Sequence, residues 1–528
     1  KHLMQEVLMK SFDIIIVGAG HNGLAASIKL AKTGRKVLLL ETSSEPGGMA
    51  ASKEIFNGFK TATLPHIVNQ LSSKAIKELD LLKYGLETKN YSIPTICIDN
   101  SERYIQLSGN YGSEKEGLSS IDKKNWINLR KRLSYQSSLL KRFIYDSPIN
   151  KDNNKLLQKI KFLKAGIDLR LKGREEFQEF FRMILMCVAD VLEEEINDDL
   201  LKGLLSFDAT LGINLGPRSP TSLMGLLYKL SGEVNGEQSD QIFPKGGIEK
   251  LVDSFYKSAI GSGVEVVFDQ EVKNLIIEND KIQGVKTIAG EEYRASKVLS
   301  SVSPIKTFFE FIGHKRLDTG ILRELKSLRY KGNVSKLNLA LDQNPDSSFL
   351  DDKHLRSRIV YAPSINHVEE NFNPSKYKEL PEDPCFEILF PSIIDDDLAP
   401  NKTTTASIII QNTPYDLKEG WEKSKKILYN SIITRLNSLF PGLKKSVIAS
   451  QFLSPLDIEQ QFNVPGGHWH HSELQIDRLY SLRPVFKYSN YKTPIKGLYI
   501  CGAGTHPGGG ISGNSGINAA NQIITDEK

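Results

Sequence analysis

The hydrophobic pattern of the first forty residues predicts a β-α-β unit. A β-branched apolar run at Phe12–Val17 is followed by a glycine turn, and helical spacing then extends from His21 to Lys32. Gly34 ends the helical pattern, and Lys36–Leu40 forms a second apolar run. Two short apolar runs joined by one helix are typical of neighbouring parallel strands, so a parallel sheet is expected here.

Further along the chain the pattern changes from helix to strand. Residues from about Ser119 to Lys202 have mainly helical spacing, and a strand-rich block follows later. The apolar runs of that block are Val264–Phe268, Val272–Glu278, Ile282–Thr287 and Lys297–Ser300. The turn residues between these runs predict a β-meander. Residues 335–453 mix apolar strands with acidic loops, and Gly497–Cys501 is a last strand before a glycine-rich loop and a helix.

The overall charge and the cysteines argue against several classes of function. The 528 residues include 68 basic and 63 acidic side chains, and a net charge of +5 is too small for this length to indicate a nucleic-acid partner. Cys97, Cys187, Cys385 and Cys501 are far apart, so neither a dithiol redox motif nor a cysteine-rich zinc site is expected. So few cysteines are typical of a reducing compartment, and we expect a cytoplasmic protein.

A basic stretch at Lys123–Lys172 bears on membrane contact. No run of the chain approaches the roughly 20 apolar residues that a membrane-spanning helix needs. The basic stretch is either a solvated helical face or a patch that faces anionic lipid headgroups, which leaves peripheral membrane contact open. Its basic residues include Arg130, Lys131, Arg132, Lys141, Arg142, Lys159, Lys161 and Lys164. The sequence does not determine the oligomeric state.

The turn after the first strand carries a dinucleotide-binding motif. Gly18, Gly20 and Gly23 have GxGxxG spacing between a strand and a helix, which is the context that the motif requires. The first glycine permits a tight turn, the second lets the backbone approach a pyrophosphate, and the third lets helix and strand pack closely. Glu41 ends the second strand, where a carboxylate can accept hydrogen bonds from both ribose hydroxyls. It would also repel a 2′-phosphate, so NADP is not expected.

Two further glycine-rich segments favour FAD over NAD. Gly47 and Gly48, followed by Met49, lie just beyond the predicted ribose-binding acid and allow a long cofactor to continue past the pyrophosphate. Gly502–Gly510 follows a strand and precedes a helix, whose N-terminus can stabilise the negative charge of a reduced flavin. One extended FAD accounts for both segments, so we expect Gly497–Gly510 to return beside the N-terminal unit.

These motifs resemble those of a known family. The segments Gly18–Gly23, Glu41–Gly48 and Gly497–Ala520 resemble the phytoene-desaturase superfamily of FAD oxidoreductases, which are relatives of the amine oxidases. Three more stretches resemble the branch of the pyridine-nucleotide-disulphide oxidoreductase-domain-containing proteins. They are Phe207-Asp208-Ala209 through Gly216-Pro217-Arg218-Ser219-Pro220, Gly232–Gly236, and His471–Leu474 through Arg483-Pro484. The absence of a cysteine pair argues against disulphide chemistry despite that name.

The resemblance implies an α/β fold in which a helical-plus-sheet substrate domain is inserted into a discontinuous Rossmann-type FAD-binding domain. The expected segments are 1–100 for the first part of the FAD domain, 101–240 for a helical cap, 241–310 for the second FAD part, 311–480 for the substrate sheet and 481–528 for the C-terminal closure. The sequence itself also predicts interleaved domains, because it has no internal repeats and no long linkers.

The resemblance also implies which residues hold the cofactor. Gly18, Gly20, Gly23, Glu41, Gly47 and Gly48 would hold the ADP half, Val272 would read the adenine edge through its backbone amide, and Gly502, Gly504 and Gly513 would lie beside the ribityl chain and the isoalloxazine. Met49 stands where many desaturases carry Arg, which is a change beside the expected flavin position.

The segment Gly466–Glu473 is the densest group of titratable residues. His471, Glu473 and, in the C-terminal loop, His506 are candidate catalytic residues for proton transfer, and structural hydrogen bonding is the alternative for each. A metal site that uses His468 is not predicted, because neither a cysteine nor a convincing His-x₃-His helix supports it.

The sequence therefore predicts an FAD-dependent oxidoreductase that acts on an apolar small molecule. In terms of the resembling family, this is desaturation of an isoprenoid- or lipid-like substrate by hydride transfer to flavin N5. An amine oxidase-like flavoenzyme and a non-catalytic FAD-bound interaction module remain as alternatives. His66 carries a weak signal for a position near the flavin, whereas Arg218 and Arg483 are candidates for either a substrate carboxylate or a structural salt bridge.

Overall fold

The computed structural model describes residues 11–89, 91–148 and 173–527. Lys159, Lys161 and Lys164 of the basic stretch, and the side chain of Arg142, lie outside the described part. The strands are β1 (Ser11–Val17), β2 (Val37–Leu40), β3 (Ser52–Phe56), β4 (Phe59–Ala62), β5 (Thr95–Ile98), β6 (Tyr104–Ser108), β7 (Glu114–Glu116), β8 (Glu233–Val234), β9 (Glu237–Gln238), β10 (Glu265–Val267), β11 (Val272–Glu278), β12 (Lys281–Thr287), β13 (Glu292–Ser300), β14 (Val334–Leu341), β15 (Arg358–Tyr361), β16 (Phe386–Leu389), β17 (Thr404–Gln411), β18 (Val447–Leu453) and β19 (Leu498–Ile500). The α-helices are α1 (His21–Ala31), α2 (Ser73–Glu78), α3 (Ser120–Ile144), α4 (Arg174–Leu185), α5 (Val188–Glu195), α6 (Asp199–Thr210), α7 (Leu223–Leu230), α8 (Gly247–Gly261), α9 (Thr319–Lys326), α10 (Ile365–Phe372), α11 (Pro391–Ile394), α12 (Trp421–Leu439), α13 (Leu443–Ser446), α14 (Pro455–Phe462) and α15 (Asn514–Asp526).

The first sheet is parallel in its centre and has the order β10-β2-β1-β13-β12-β11, with β19 beside β13. Residues 14–16 of β1 are fully buried, as expected for a central parallel strand covered on both faces, and this explains the uninterrupted apolar run. The predicted meander is confirmed for β11 to β13, which pair antiparallel. It is wrong for Val264–Phe268, because β10 pairs parallel with β2, a strand more than two hundred residues earlier.

The C-terminal helix α15 packs closely against α1. A Cβ atom at Gly516 would lie 2.0 Å from the carbonyl oxygen of Asn22, so this approach requires glycine. Strand β19 pairs parallel with β13, which also pairs with β1. The expected return of the C-terminal segment beside the N-terminal unit is therefore confirmed.

The second sheet has the order β18-β14-β17-β16-β15-β5-β6-β7. Helix α12 covers one face with Leu428, Ile432 and Leu436, which are buried against the strands. Because β5 and β6 form a hairpin of this sheet, the domain boundary predicted at residue 100 falls within that hairpin.

Helices α3, α4, α5, α6, α7 and α10 form a cap against the second sheet. Trp126 of α3, Leu205 of α6 and Leu227 of α7 share one buried core with Val360 of β15. Within the described ranges, no helix combines the length and the apolar composition that crossing a bilayer requires.

Candidate functional site

A cavity of about 1000 Å³ lies where the two sheets and the cap meet. This volume is at the upper end of the usual range for cofactor and ligand sites. Its lining includes the dinucleotide turn at Gly18 and Gly20, and Glu41 at the end of β2. It extends to Tyr228 and Lys229 of α7 and to strands of the second sheet. All the layers of the fold thus contribute to one site.

The dinucleotide turn has the geometry that its glycines predict. Gly18 has a φ of +99°, and a Cβ atom at Gly23 would lie 2.0 Å from the carbonyl oxygen of Gly18. Gly23 therefore serves close packing of the helix on the turn, whereas Gly20 and Gly18 line the cavity. The first turn of α1 contains no acidic residue, so its free N–H groups and positive dipole end remain available to an anion.

Glu41 is held at the carboxyl edge of the first sheet. Its carboxylate accepts hydrogen bonds from the backbone N–H groups of Ala19 at 2.6 Å and Ser43 at 2.9 Å. These contacts fix the carboxylate beside the glycine turn, where the ribose of a dinucleotide would meet it.

The second glycine pair packs directly on the first turn. The N–H of Gly47 donates to the carbonyl oxygen of Ala19 at 2.9 Å, and Gly47 has a φ of +117°. A Cβ atom at Gly48 would lie 3.4 Å from the Cα of Gly20. Met49 follows and lines the cavity, so the two predicted turns form one continuous surface.

The other predicted cofactor residues lie behind the cavity lining. Gly502 and Gly504 pack against the segment after β13, because a Cβ atom there would lie 2.4 Å from the Ser301 carbonyl oxygen and 2.3 Å from the Pro304 ring, respectively. Gly513 caps α15 with a φ of +70°. Val272 is buried in the first sheet. The described residues of these segments that line the cavity are Gln270, Ala503, Gly509, Gly510 and Ile511.

Four histidines line the cavity, namely His21, His66, His470 and His471. His471 has a φ of +60°, a strained backbone conformation that is concentrated at functional sites, and its N–H donates to the His468 carbonyl oxygen at 2.8 Å. Burial lowers the pKa of His471 to about 3 and that of His21 to about 4, so both rings are neutral at physiological pH.

Glu473 and His506 are not among the described residues that line the cavity. Glu473 is buried and pairs with Arg329 at 3.0 Å, and burial raises its pKa to about 7. The His506 Nε2 atom lies 2.9 Å from the carbonyl oxygen of Phe143. Of the three predicted catalytic residues, only His471 therefore reaches the cavity directly.

The two candidate arginines have structural partners. Arg483 is fully buried and donates to the carbonyl oxygens of His470 at 2.7 Å and Ala503 at 2.8 Å, so it ties the histidine segment to the C-terminal loop. Arg218 is exposed and pairs with Glu193 at 2.7 Å.

A buried ionic network at the second sheet was missed by the sequence reasoning. Arg358 bonds both Asp208, at 2.5 Å, and Glu387, at 2.6 Å. Lys229 donates to Asp208 at 2.6 Å. Although burial alone would raise the pKa of Glu387, the Arg358 guanidinium holds it far below its usual range, so the carboxylate is ionised. Asp208, Lys229 and Glu387 all line the cavity.

The network continues through His66 to a buried lysine. His66 Nε2 lies 2.8 Å from Glu387 and its Nδ1 lies 3.0 Å from the hydroxyl of Ser407. Lys336 donates to Ser407 at 2.7 Å and lies 3.3 Å from the same ring nitrogen. The weak sequence signal at His66 thus marks a residue that lines the cavity. The rest of the network could have been suspected from charged residues within apolar strands, namely Lys336, Arg358 and Glu387.

The cavity fits an FAD molecule. Several buried polar atoms in its lining find no hydrogen-bond partner among the described residues, although such atoms are nearly always paired in proteins. They include His21 Nε2, Asn22 Oδ1 and His470 Nδ1. A long dinucleotide between the glycine turns and these groups would supply polar partners. Across the ranges that the structure covers, no cluster of three His, Cys, Asp or Glu side chains is arranged to hold a metal ion.

Comparison with known proteins agrees with this geometry. The model of the family described as flavin containing amine oxidoreductase matches residues 23–524. The chain is 28% identical to the pyridine nucleotide-disulfide oxidoreductase domain-containing protein 2 of Rattus norvegicus, covering 99% of this chain and 94% of that protein. It is 25% identical to the lycopene-forming phytoene desaturase of Pantoea ananas, covering 94% and 96%.

A solved structure shares the fold. Cyclohexylamine oxidase from Brevibacterium oxydans matches with a TM-score of 0.59 and 13% identity, covering 98% of this chain and 100% of that one. The chain belongs to the flavin-containing amine oxidoreductase family and is an FAD-dependent oxidoreductase.

Proposed function

We propose that this flavin-dependent oxidoreductase desaturates an apolar, lipid- or isoprenoid-like substrate, with hydride transfer to flavin N5. The observation that carries the proposal is the apolar surface of the cavity beside the histidines. It is formed by Leu64, Leu211, Ile213, Ile409, Trp469 and Leu474. Side chains of this kind bind hydrocarbon by burying it away from water, at about 25 cal/mol for each Å² of apolar surface buried.

The FAD that this family binds supplies the hydride acceptor. The chain itself supplies orientation and a dry site. Ile213 and Leu474 share a small buried cluster with Ile144 and Tyr228, so this part of the cavity lining is packed and mainly apolar. Exclusion of water and a fixed substrate pose account for a large part of the rate enhancement in reactions of this type.

Loss of a hydride from one carbon requires loss of a proton from its neighbour to complete a double bond. We propose His471 as the group that accepts this proton, since its neutral ring lines the cavity and its buried Nδ1 atom has no partner within the described residues. The similarity to a phytoene desaturase supports a substrate that reacts at carbon–carbon bonds.

The test is anaerobic reduction of the FAD-loaded protein by candidate substrates, followed as loss of flavin absorbance. Isoprenoid and long-chain lipids should bleach the flavin, whereas primary amines should not. The variant Leu211→Asn, inside the apolar surface, should raise the substrate concentration needed for half-maximal bleaching. Leu82→Asn, at an exposed leucine outside the cavity, is the matched control.

Two outcomes would contradict the proposal. Bleaching by amines but not by lipids would favour amine oxidation. A flavin that none of these compounds reduces, in a protein that still binds FAD, would leave a non-catalytic module as the better explanation.

A further inference from the structure

The cavity contains an ionic wall next to its apolar surface. Lys229, with 15% of its side chain exposed, reaches this wall from α7, and Asp208 reaches it from α6. Glu387 of β16 and His66 complete the wall. A substrate made only of hydrocarbon would leave these groups facing apolar atoms, which is unfavourable for a charged group that can still form hydrogen bonds.

Hydrogen-bond accounting shows which kind of group the wall can receive. Both oxygens of Asp208 already accept hydrogen bonds, from Lys229, Arg358 and Tyr111. Both oxygens of Glu387 accept as well, from His66 and Arg358. The ammonium group of Lys229 has three donors and uses one of them on Asp208, with no other acceptor among the described residues. The larger unused capacity at the cavity surface therefore consists of donors, since Lys229 has two of them left and Glu387 Oε1 has one acceptor site left.

The charges lead to the same result. Arg358 and Lys229 balance the carboxylates of Asp208 and Glu387, and these four side chains form ion pairs with one another. Lys336 is an additional buried amine whose hydrogen-bond partners, Ser407 and His66, are neutral groups. When Lys336 is protonated, the ionic wall together with Arg358 and Lys336 carries one more positive than negative charge. A single anionic group on a ligand would make the site neutral.

We infer that the substrate is an acidic amphipath, with an apolar body on the hydrophobic surface and a carboxylate that Lys229 binds. This inference rests on the proposed function and specifies its substrate class. The carboxylate accepts hydrogen bonds from the free donors of Lys229 and lies opposite the apolar residues of the cavity, so that Lys229 fixes one end of the substrate. An ammonium group would find every carboxylate oxygen of this wall already bonded to a donor of the protein.

The test compares three ligands with the same alkyl chain, namely decanoate, 1-decanol and decylamine, on the FAD-loaded protein. Affinity is measured by calorimetry and by the shift of the melting temperature, and neither measurement needs turnover. Decanoate should bind at least about tenfold tighter than the alcohol, as expected for a hydrogen bond to a charged group in a partly buried site. Decylamine should bind most weakly.

The variant Lys229→Met should remove the preference for decanoate while leaving affinity for the alcohol within about twofold. Asp208 keeps Arg358 and Tyr111 as partners in this variant. Lys202→Met is the matched control, because Lys202 is also a cap lysine, has 16% side-chain exposure and pairs with Asp199 outside the cavity. If Lys229→Met does not fold, the comparison of the three ligands on the unmodified protein still tests the inference.

Equal affinity for decanoate and decanol, or tighter binding of decylamine, would overturn the inference. So would a preference for decanoate that survives in Lys229→Met. Flavin bleaching separates this result from the proposed function. If decanoate binds best but no lipid bleaches the flavin, the proposed oxidation is refuted and the inference of an acidic substrate stands. If lipids bleach the flavin but decanoate has no advantage in binding, the proposed oxidation stands and the inference is refuted.

Discussion

Replacing Lys336 with methionine should change how stability depends on pH. Lys336 is 1% exposed, and its hydrogen bonds go to a serine hydroxyl and a histidine ring rather than to a carboxylate. Burial lowers its pKa from the usual 10.5 to about 7. Methionine has a similar length and carries no proton, so the difference between the two proteins isolates the titration of this amine.

The sign follows from proton counting. Between pH 7 and 10.5 the unfolded chain keeps the lysine proton and the folded protein has released it, so the stability of the wild-type protein rises with pH in this window. The slope is about 1.4 kcal/mol per pH unit for one proton in the middle of the window. Between pH 7 and 9, the stability of the wild type relative to Lys336→Met should therefore increase by roughly 2 kcal/mol. Below pH 7 the difference should become constant.

Urea unfolding followed by tryptophan fluorescence at pH 7, 8 and 9 measures this difference. Lys331→Met is the control, since Lys331 is exposed, and the difference from wild type should stay flat with pH. His66 does not interfere in this window, because burial lowers its pKa to about 4. A flat difference for Lys336→Met as well would mean that the buried amine keeps its proton up to pH 9, which would refute a pKa near 7 and leave the extra positive charge beside the ionic wall in place.

Three more results are expected. Glu41→Ala should weaken FAD binding by about tenfold or more in a fluorescence titration, because the carboxylate that meets the ribose is lost; unchanged affinity would place the adenosine elsewhere. His471→Ala should slow flavin reduction by about a hundredfold or more while FAD stays bound, as for loss of a general base, and a normal rate would remove His471 from the reaction. The exposed Phe177, Phe181 and Leu185 form one stripe on α4, so the protein should sediment with lipid vesicles and the double variant Phe177→Ser/Phe181→Ser should not; equal sedimentation of both proteins, or none of the wild type, would contradict membrane contact through this stripe.

The sequence was most informative where the interactions are local. Gly18, Gly20, Gly23 and Glu41 lie within one β-α-β unit, so their spacing predicts both the turn and the acid beside it. The grouping of Val264–Phe268 with the meander was wrong because its partner strand, β2, lies far away in the sequence. Hydrophobic periodicity identifies a strand but contains no information about which distant strand pairs with it.

The partners within the ionic wall could not be predicted from the sequence. A lysine, an arginine or a glutamate inside an apolar strand is visible in the sequence, and each is expensive to bury alone. Such a residue therefore implies an opposite charge nearby in the fold. The sequence cannot say where that partner is, since Arg358 finds Asp208 150 residues away and His66 finds Glu387 321 residues away. The unused hydrogen-bond donors of Lys229 become apparent only when the cap, the second sheet and the segment after β4 are packed together. These donors are the reason to expect an acidic substrate rather than a plain hydrocarbon.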